Sequence, residues 1–183
     1  KYSNQTPEFV TLKTDVRKYF RLSDRYSIAM RVSAGASRGQ NAQTFILGGL
    51  DYWLNYSYAN RSDYDSLYVN IQDIYFSEFI TPLRGASYYE RAGDNYVLTN
   101  LEFRFPLIPY MQLGFPPIAL GNIIGLFFVD AGTAFDSRDY NDLKLTVDGK
   151  LHDVVASYGL GTRMYMFGMM IKYDIAWMYD MQN

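Results

Sequence analysis

In "NYVLTNLEFRFPL", residues 95–107, two kinds of side chain alternate along the chain. Val97, Thr99, Leu101, Phe103 and Phe105 fall on one side of an extended backbone, and Leu98, Asn100, Glu102 and Arg104 on the other. A period of 2 predicts a strand. Charged groups inside such a strand are costly unless their face meets water or opposite charge. The nearest candidate for that charge lies upstream, in "TPLRGASYYE" (81–90), where Arg84 stands between Leu83 and Gly85 in an aromatic-rich loop.

Five more segments repeat the pattern. In "FVTLKTDVRKYFRL" (9–22), Val10, Leu12, Thr14, Val16, Phe20 and Leu22 oppose Thr11, Lys13, Asp15, Arg17, Tyr19 and Arg21, with Lys18 the exception on the apolar row. After a turn at Ser23-Asp24, "YSIAMRVSAGAS" (26–37) sets Ile28, Met30 and Val32 against Ser27, Arg31 and Ser33, so the two runs predict an antiparallel hairpin. "NIIGLFFVDAGTAF" (122–135) places Phe127, Val129, Ala131, Thr133 and Phe135 opposite Asp130 and Gly132. "VVASYGLGTRMY" (154–165) places Tyr158 and Leu160 opposite Gly159, Gly161 and Arg163. "FGMMIKYDIAWMY" (167–179) places Ile171, Ile175 and Trp177 opposite Lys172 and Asp174.

These runs suit tilted membrane-spanning strands of roughly 9–11 residues and exceed the usual soluble strand of about 5–6. A soluble barrel with an apolar lumen would reverse the chemistry of the two faces. The aliphatic and aromatic row is therefore assigned to lipid and the charged, glycine-bearing row to a wet or ion-paired interior. The fold class expected is all-β, a transmembrane antiparallel β-barrel of which about 6–8 strands are present. Eighteen tyrosines and twelve phenylalanines fit rings that are dry at one end and wet at the other.

Between the runs the pattern is less regular. "TFILGGLDYW" (44–53) carries a short strand ending at Gly48-Gly49, and "LYVNIQDIYFSEFI" (67–80) reads as a strand or as a short amphipathic helix. Residues 136–153 form a polar loop with room for a hairpin closed at Asp148-Gly149.

A net charge of −2 without a basic cluster gives no sign of a nucleic-acid partner, and no cysteine is present for disulfides or thiolate metal sites. No signal peptide is found and the chain starts at Lys1, which predicts a processed protein or a piece of one. No cofactor is expected, since phosphate-loop, zinc and dinucleotide motifs are missing. "GASRG" (35–39) fits the nucleophile-elbow pattern, but Ser37 ends a strand and its only histidine, His152, sits in a charged loop; an outer-membrane hydrolase is the less favoured reading. Asp136, Asp139 and Asp142 lack calcium-loop spacing and read as a solvated loop.

Taken in order, several motifs resemble the bacterial surface antigen superfamily of outer-membrane barrels, the BamA- and FhaC-like family. They are the lead-in "FILGG", the loop tripeptide Leu83-Arg84-Gly85, the strand Asn100 to Pro106, the strand Phe128-x-Asp130-x-Gly132, and Gly159-Leu160-Gly161. Where the family commonly has an aromatic after the arginine–glycine pair, this chain has Ala86.

The resemblance implies that residues 1–183 are the C-terminal part of one sixteen-stranded barrel domain, with a long loop at about 39–94 folded back into the lumen. It implies that Arg84 meets Asp130 and Glu102 there, with Gly132, Gly159 and Gly161 leaving space for the loop. Read without it, Arg84 could also be a surface-loop arginine, Asp130 a turn cap and the glycines mere relief of crowding. The implied function is insertion of proteins into the outer membrane of a Gram-negative-type bacterium, or their translocation across it, without enzymatic chemistry. The implied partners are membrane lipid, unfolded outer-membrane or secreted proteins, and accessory subunits. The alternatives are a self-contained eight-stranded structural or small-solute barrel, and a barrel anchoring a separate N-terminal domain.

Overall fold

The computed structural model describes residues 8–50, 77–87, 90–112, 114–115, 119–137, 146–147, 150–151, 153–166 and 168–179. Among them every regular element is a strand, and no helix is long and apolar enough to cross a membrane. Six strands make the main sheet: β1 (Phe9–Arg21), β2 (Ser27–Gly39), β6 (Asn95–Gln112), β7 (Ala119–Phe135), β10 (Val155–Met166) and β11 (Met169–Tyr179). Their spatial order is β1-β2-β6-β7-β10-β11, and every neighbouring pair is antiparallel. All six coincide with the alternating runs.

The ends of the elements have local causes. The β1–β2 hairpin closes through Leu22 and Ser23, whose amides donate to the Tyr26 carbonyl at 3.0 and 3.3 Å. The sequence pattern ends the third long strand at Leu107, but β6 continues to Gln112 through Pro106 and Pro109. Two features tolerate the prolines. The register with β7 shifts between Pro106 and Ile108, and β2 pairs with β6 only as far as Arg104, so the missing amides lie at a bulge on a one-sided stretch.

The alternation assigns faces as expected on the outside. Val10, Leu12, Val16, Met30, Val97, Leu101, Phe127, Val129 and Trp177 project outward and are exposed. An apolar surface this continuous is what a hydrocarbon solvent requires. Lys18, the charge on that row, holds its Nζ 5.8 Å from the centre of the Phe20 ring.

The inner face departs from the expectation of a uniformly polar wall. Tyr96, Leu98, Leu126, Phe128 and Ala134 point inward and are buried. Tyr96, Leu98 and Ala134 are dry because a second, three-stranded sheet and one of its loops cover part of the wall. The sheet is built from β3 (Thr44–Leu47), β4 (Ser77–Ile80) and β5 (Arg91–Gly93) in the order β4-β3-β5. β3 runs parallel to β4 and antiparallel to β5. A parallel pair needs a long return path, which the connection between Leu47 and Ser77 provides.

Phe45 and Leu47 of β3, Ile80, Leu83 and Ala86 pack on Tyr96, Leu98 and Ala134 as one core. Each fully buried large side chain there contributes roughly 1.5–3 kcal/mol. The Phe45 and Tyr96 rings meet edge to face, 4.7 Å between centres. Backbone closeness is also built in: a Cβ at Gly93 would run into the backbone of Phe135.

The short strand expected before Gly48-Gly49 is β3, and the ambiguous segment ends in β4; its residues 67–76 lie outside the described residues. The hairpin expected in the polar loop is present as β8 (Thr146–Val147) paired with β9 (Lys150–Leu151), its turn residues Asp148-Gly149 also lying outside the described residues. β1 and β11 stand at the two ends of the order and are not paired with each other among the described residues, so the described sheet is a six-stranded ribbon rather than a closed eight-stranded barrel.

Candidate functional site

Residues 77–87 lie across the inner wall as a strap. Its first contacts are backbone ones: Leu83 N donates to Gly49 O at 2.9 Å, and Glu90 N donates to Leu47 O at 3.1 Å just beyond its end. Leu83, wholly buried, anchors it in the apolar core.

Arg84 follows and is 2 % exposed, against an Asp130 that is 0 % exposed. Its Nε and Nη2 reach the two oxygens of Asp130 at 2.7 and 2.8 Å, a bidentate fork. The Arg84 amide adds a third bond to Asp130 at 3.2 Å, and Nη1 donates to Glu102 Oε1 at 2.8 Å. Glu102 is held in turn by Arg104 through bonds of 2.6 and 3.0 Å. The guanidinium carbon lies 3.7 Å from the centre of the Phe128 ring. Burial disfavours its charge, but the bonds and charge of Asp130 and then of Glu102 more than offset that and hold its pKa above the ordinary arginine value.

The glycines occupy the positions where bulk is excluded. Gly85 has a φ of +85°, in the left-handed region, and a Cβ there would come within 3.1 Å of Ala176 Cβ on β11. At Gly159 a Cβ would strike the Phe128 ring and the Ile175 carbonyl, so this glycine makes room for the ring on which Arg84 rests. Gly161 leaves room for Asp174, which pairs with Arg163 at 2.6 and 3.0 Å. Gly132 accommodates Leu47 of β3 and Leu98 of β6, whose side chains would stand 3.0 and 3.1 Å from a Cβ added there.

The structure thus brings Leu83, Arg84, Gly85, Glu102, Asp130 and Gly159 together at the strap, with Gly132 beneath β3 instead and Gly161 at the Asp174–Arg163 pair. Sequence reasoning missed three contributors. Asn100 donates Nδ2 to Asp130 Oδ1 and to Pro82 O, both at 2.8 Å. Phe128 supplies the ring, and Arg31 donates Nη1 to Thr81 O at 2.7 Å. Alternation places all three on the inner face, but only the register shows that Arg31, Asn100 and Asp130 stand opposite one another on β2, β6 and β7. The strap crosses the strands along that line, giving Thr81 to Arg31, Pro82 to Asn100 and Arg84 to Asp130.

The hydrolase reading finds no support at Ser37. It is 0 % exposed inside β2, with its Oγ accepting the Gln43 amide at 2.8 Å, and no strand-to-helix turn follows it. His152 lies outside the described residues, as do Asp139 and Asp142; Asp136 accepts the Asp94 amide at 3.2 Å. Among the described residues no group of three or more His, Cys, Asp or Glu could hold a metal ion.

A family model described as the Omp85 superfamily domain matches residues 2–182. No curated protein matches the chain.

Proposed function

Since the chain belongs to the Omp85 superfamily, whose members serve protein insertion and translocation at the outer membrane, we propose that it works there in one of those two roles. Its site is the Gram-negative-type outer membrane, and its clients are unfolded outer-membrane or secreted polypeptides. The strands described are part of a larger barrel. That no strand pairs with the outer edges of β1 and β11 among the described residues supports this, because hydrocarbon offers nothing to unpaired backbone groups. No bond chemistry is involved. Lipid is the outer partner, and accessory subunits of a membrane complex are the expected protein partners.

Within this role the strap is a latch that holds the lumen in one arrangement. The buried ion pair of Arg84 and Asp130 carries the reading, since it ties the loop directly to the wall of the barrel. A buried arginine whose partner is lost, or the converse, costs roughly 3–5 kcal/mol.

The test is Arg84→Ala in the full protein, reconstituted in vesicles. Both the stability of the barrel and the rate at which a client barrel is assembled or a client chain translocated should fall together. Unaltered unfolding with unaltered client handling would sink the latch.

A further inference from the structure

β1 and β2 contain a pairing that a sheet alone does not favour. Arg17 and Arg31 stand directly opposite each other in the register. Like charges so placed repel. Asp15 neutralises the pair from the side, accepting Arg17 Nε and Nη2 at 2.9 and 3.0 Å and Arg31 Nε and Nη2 at 3.0 and 2.8 Å. That arrangement leaves the third nitrogen of Arg31, Nη1, to donate to the Thr81 carbonyl of the strap at 2.7 Å. Within the sheet, Arg31 opposite Arg17 has a cost without a return; the return is the contact with the strap. Local choices that conflict with the fold concentrate where the structure does something else with them.

Rather than a second copy of the Arg84 latch, we infer that Arg31 is a positioning residue for the strap's entry end, oriented by Asp15. It acts on a backbone carbonyl, two strands from Asp130, beside a cavity of about 330 Å³ lined by Lys13, Asp15, Arg31, Glu78, Thr81 and Tyr96. The neighbouring pair of Lys13 and Glu78, 2.8 Å apart, is substantially exposed and adds little at such a site. Beyond the β3–β4 pairing and the buried Ile80, Arg31 is therefore the side chain that fixes the strap where β4 ends. The strap is held at a series of points, Thr81 by Arg31, Pro82 by Asn100, Leu83 by the Gly49 carbonyl and Arg84 by Asp130, and loss of the first loosens its entry end while Arg84 stays seated. The inference rests on the reading of residues 77–87 as a seated latch.

The chain has no cysteine, so single cysteines report each end separately. Thr81→Cys and Ala86→Cys, both at buried positions, are labelled with a maleimide in the full protein in membrane vesicles. Adding Arg31→Ala should raise the labelling rate at position 81 about ten-fold, as expected for loss of a charged hydrogen bond, and change that at 86 by less than about two-fold. No rise at 81, or an equal rise at both positions, overturns the inference, the latter because it marks general loosening. If Arg31→Ala does not assemble, Asp15→Asn, which leaves Arg31 charged but without its orienting partner, is judged by the same two outcomes. Client handling is not the readout, so failure here leaves the proposed role of Arg84 to its own experiment.

Discussion

Asp130→Asn is the sharpest perturbation of the strap, because it conserves volume and removes only the charge and one acceptor. The Asp130 carboxylate accepts four bonds. Oδ1 takes Arg84 Nη2 and Asn100 Nδ2, and Oδ2 takes the amide and Nε of Arg84. An asparagine amide can be placed in two orientations, and in either one its NH2 group faces two donors. Two bonds are lost whichever way it turns. Hydrogen bonds to charged groups are worth roughly 1.5–3 kcal/mol each, and a broken buried pair costs roughly 3–5 kcal/mol, so both routes predict a loss of at least about 3 kcal/mol. Urea unfolding of the full protein in phospholipid vesicles, followed by tryptophan fluorescence, measures it. In an Arg84→Ala background the same substitution should cost about 1 kcal/mol or less, because the partner is already gone. A loss below about 1 kcal/mol in the otherwise unaltered protein would refute the claim that this ion pair fastens the strap.

Gly159→Ala should push the Phe128 ring out from under Arg84 and cost roughly 1–3 kcal/mol in the same unfolding experiment. Gly121→Ala, whose Cβ would meet nothing within 4 Å, is the matched control and should leave the midpoint unchanged. Val129→Lys places a charge on the outward face and should cost roughly 2–4 kcal/mol in vesicles if that face meets the centre of the bilayer. An unchanged midpoint would show that Val129 does not face lipid.

The six long strands were legible because their outer row faces a single solvent. Lipid demands an apolar residue at every second position, and that demand writes itself into "FVTLKTDVRKYFRL" as plainly as into "NYVLTNLEFRFPL". The inner row answers to a mixed environment. Tyr96 and Leu98 could not be told from stray apolar residues on a polar wall, because what dries them includes β3, four residues long and paired in parallel to a strand some thirty positions later. No period can be read from four residues. The motif residues around Arg84 were legible as an ordered series, and the alternation put Glu102 and Asp130 on its side. The role of Arg31 left no mark of its own: it is one of several inward arginines, distinguished only by the strand-to-strand alignment that sets it level with Asn100.

The alignment of Arg31, Asn100 and Asp130 on three successive strands has a bearing on how the sheet is assembled. Sliding any one of those strands by a single position would swing its contribution to the lipid side and leave the loop with a missing handhold. Seating the loop with all its handholds therefore requires a correctly threaded ribbon, so the contacts of this one segment add to the cost of any slip in the wall beneath it.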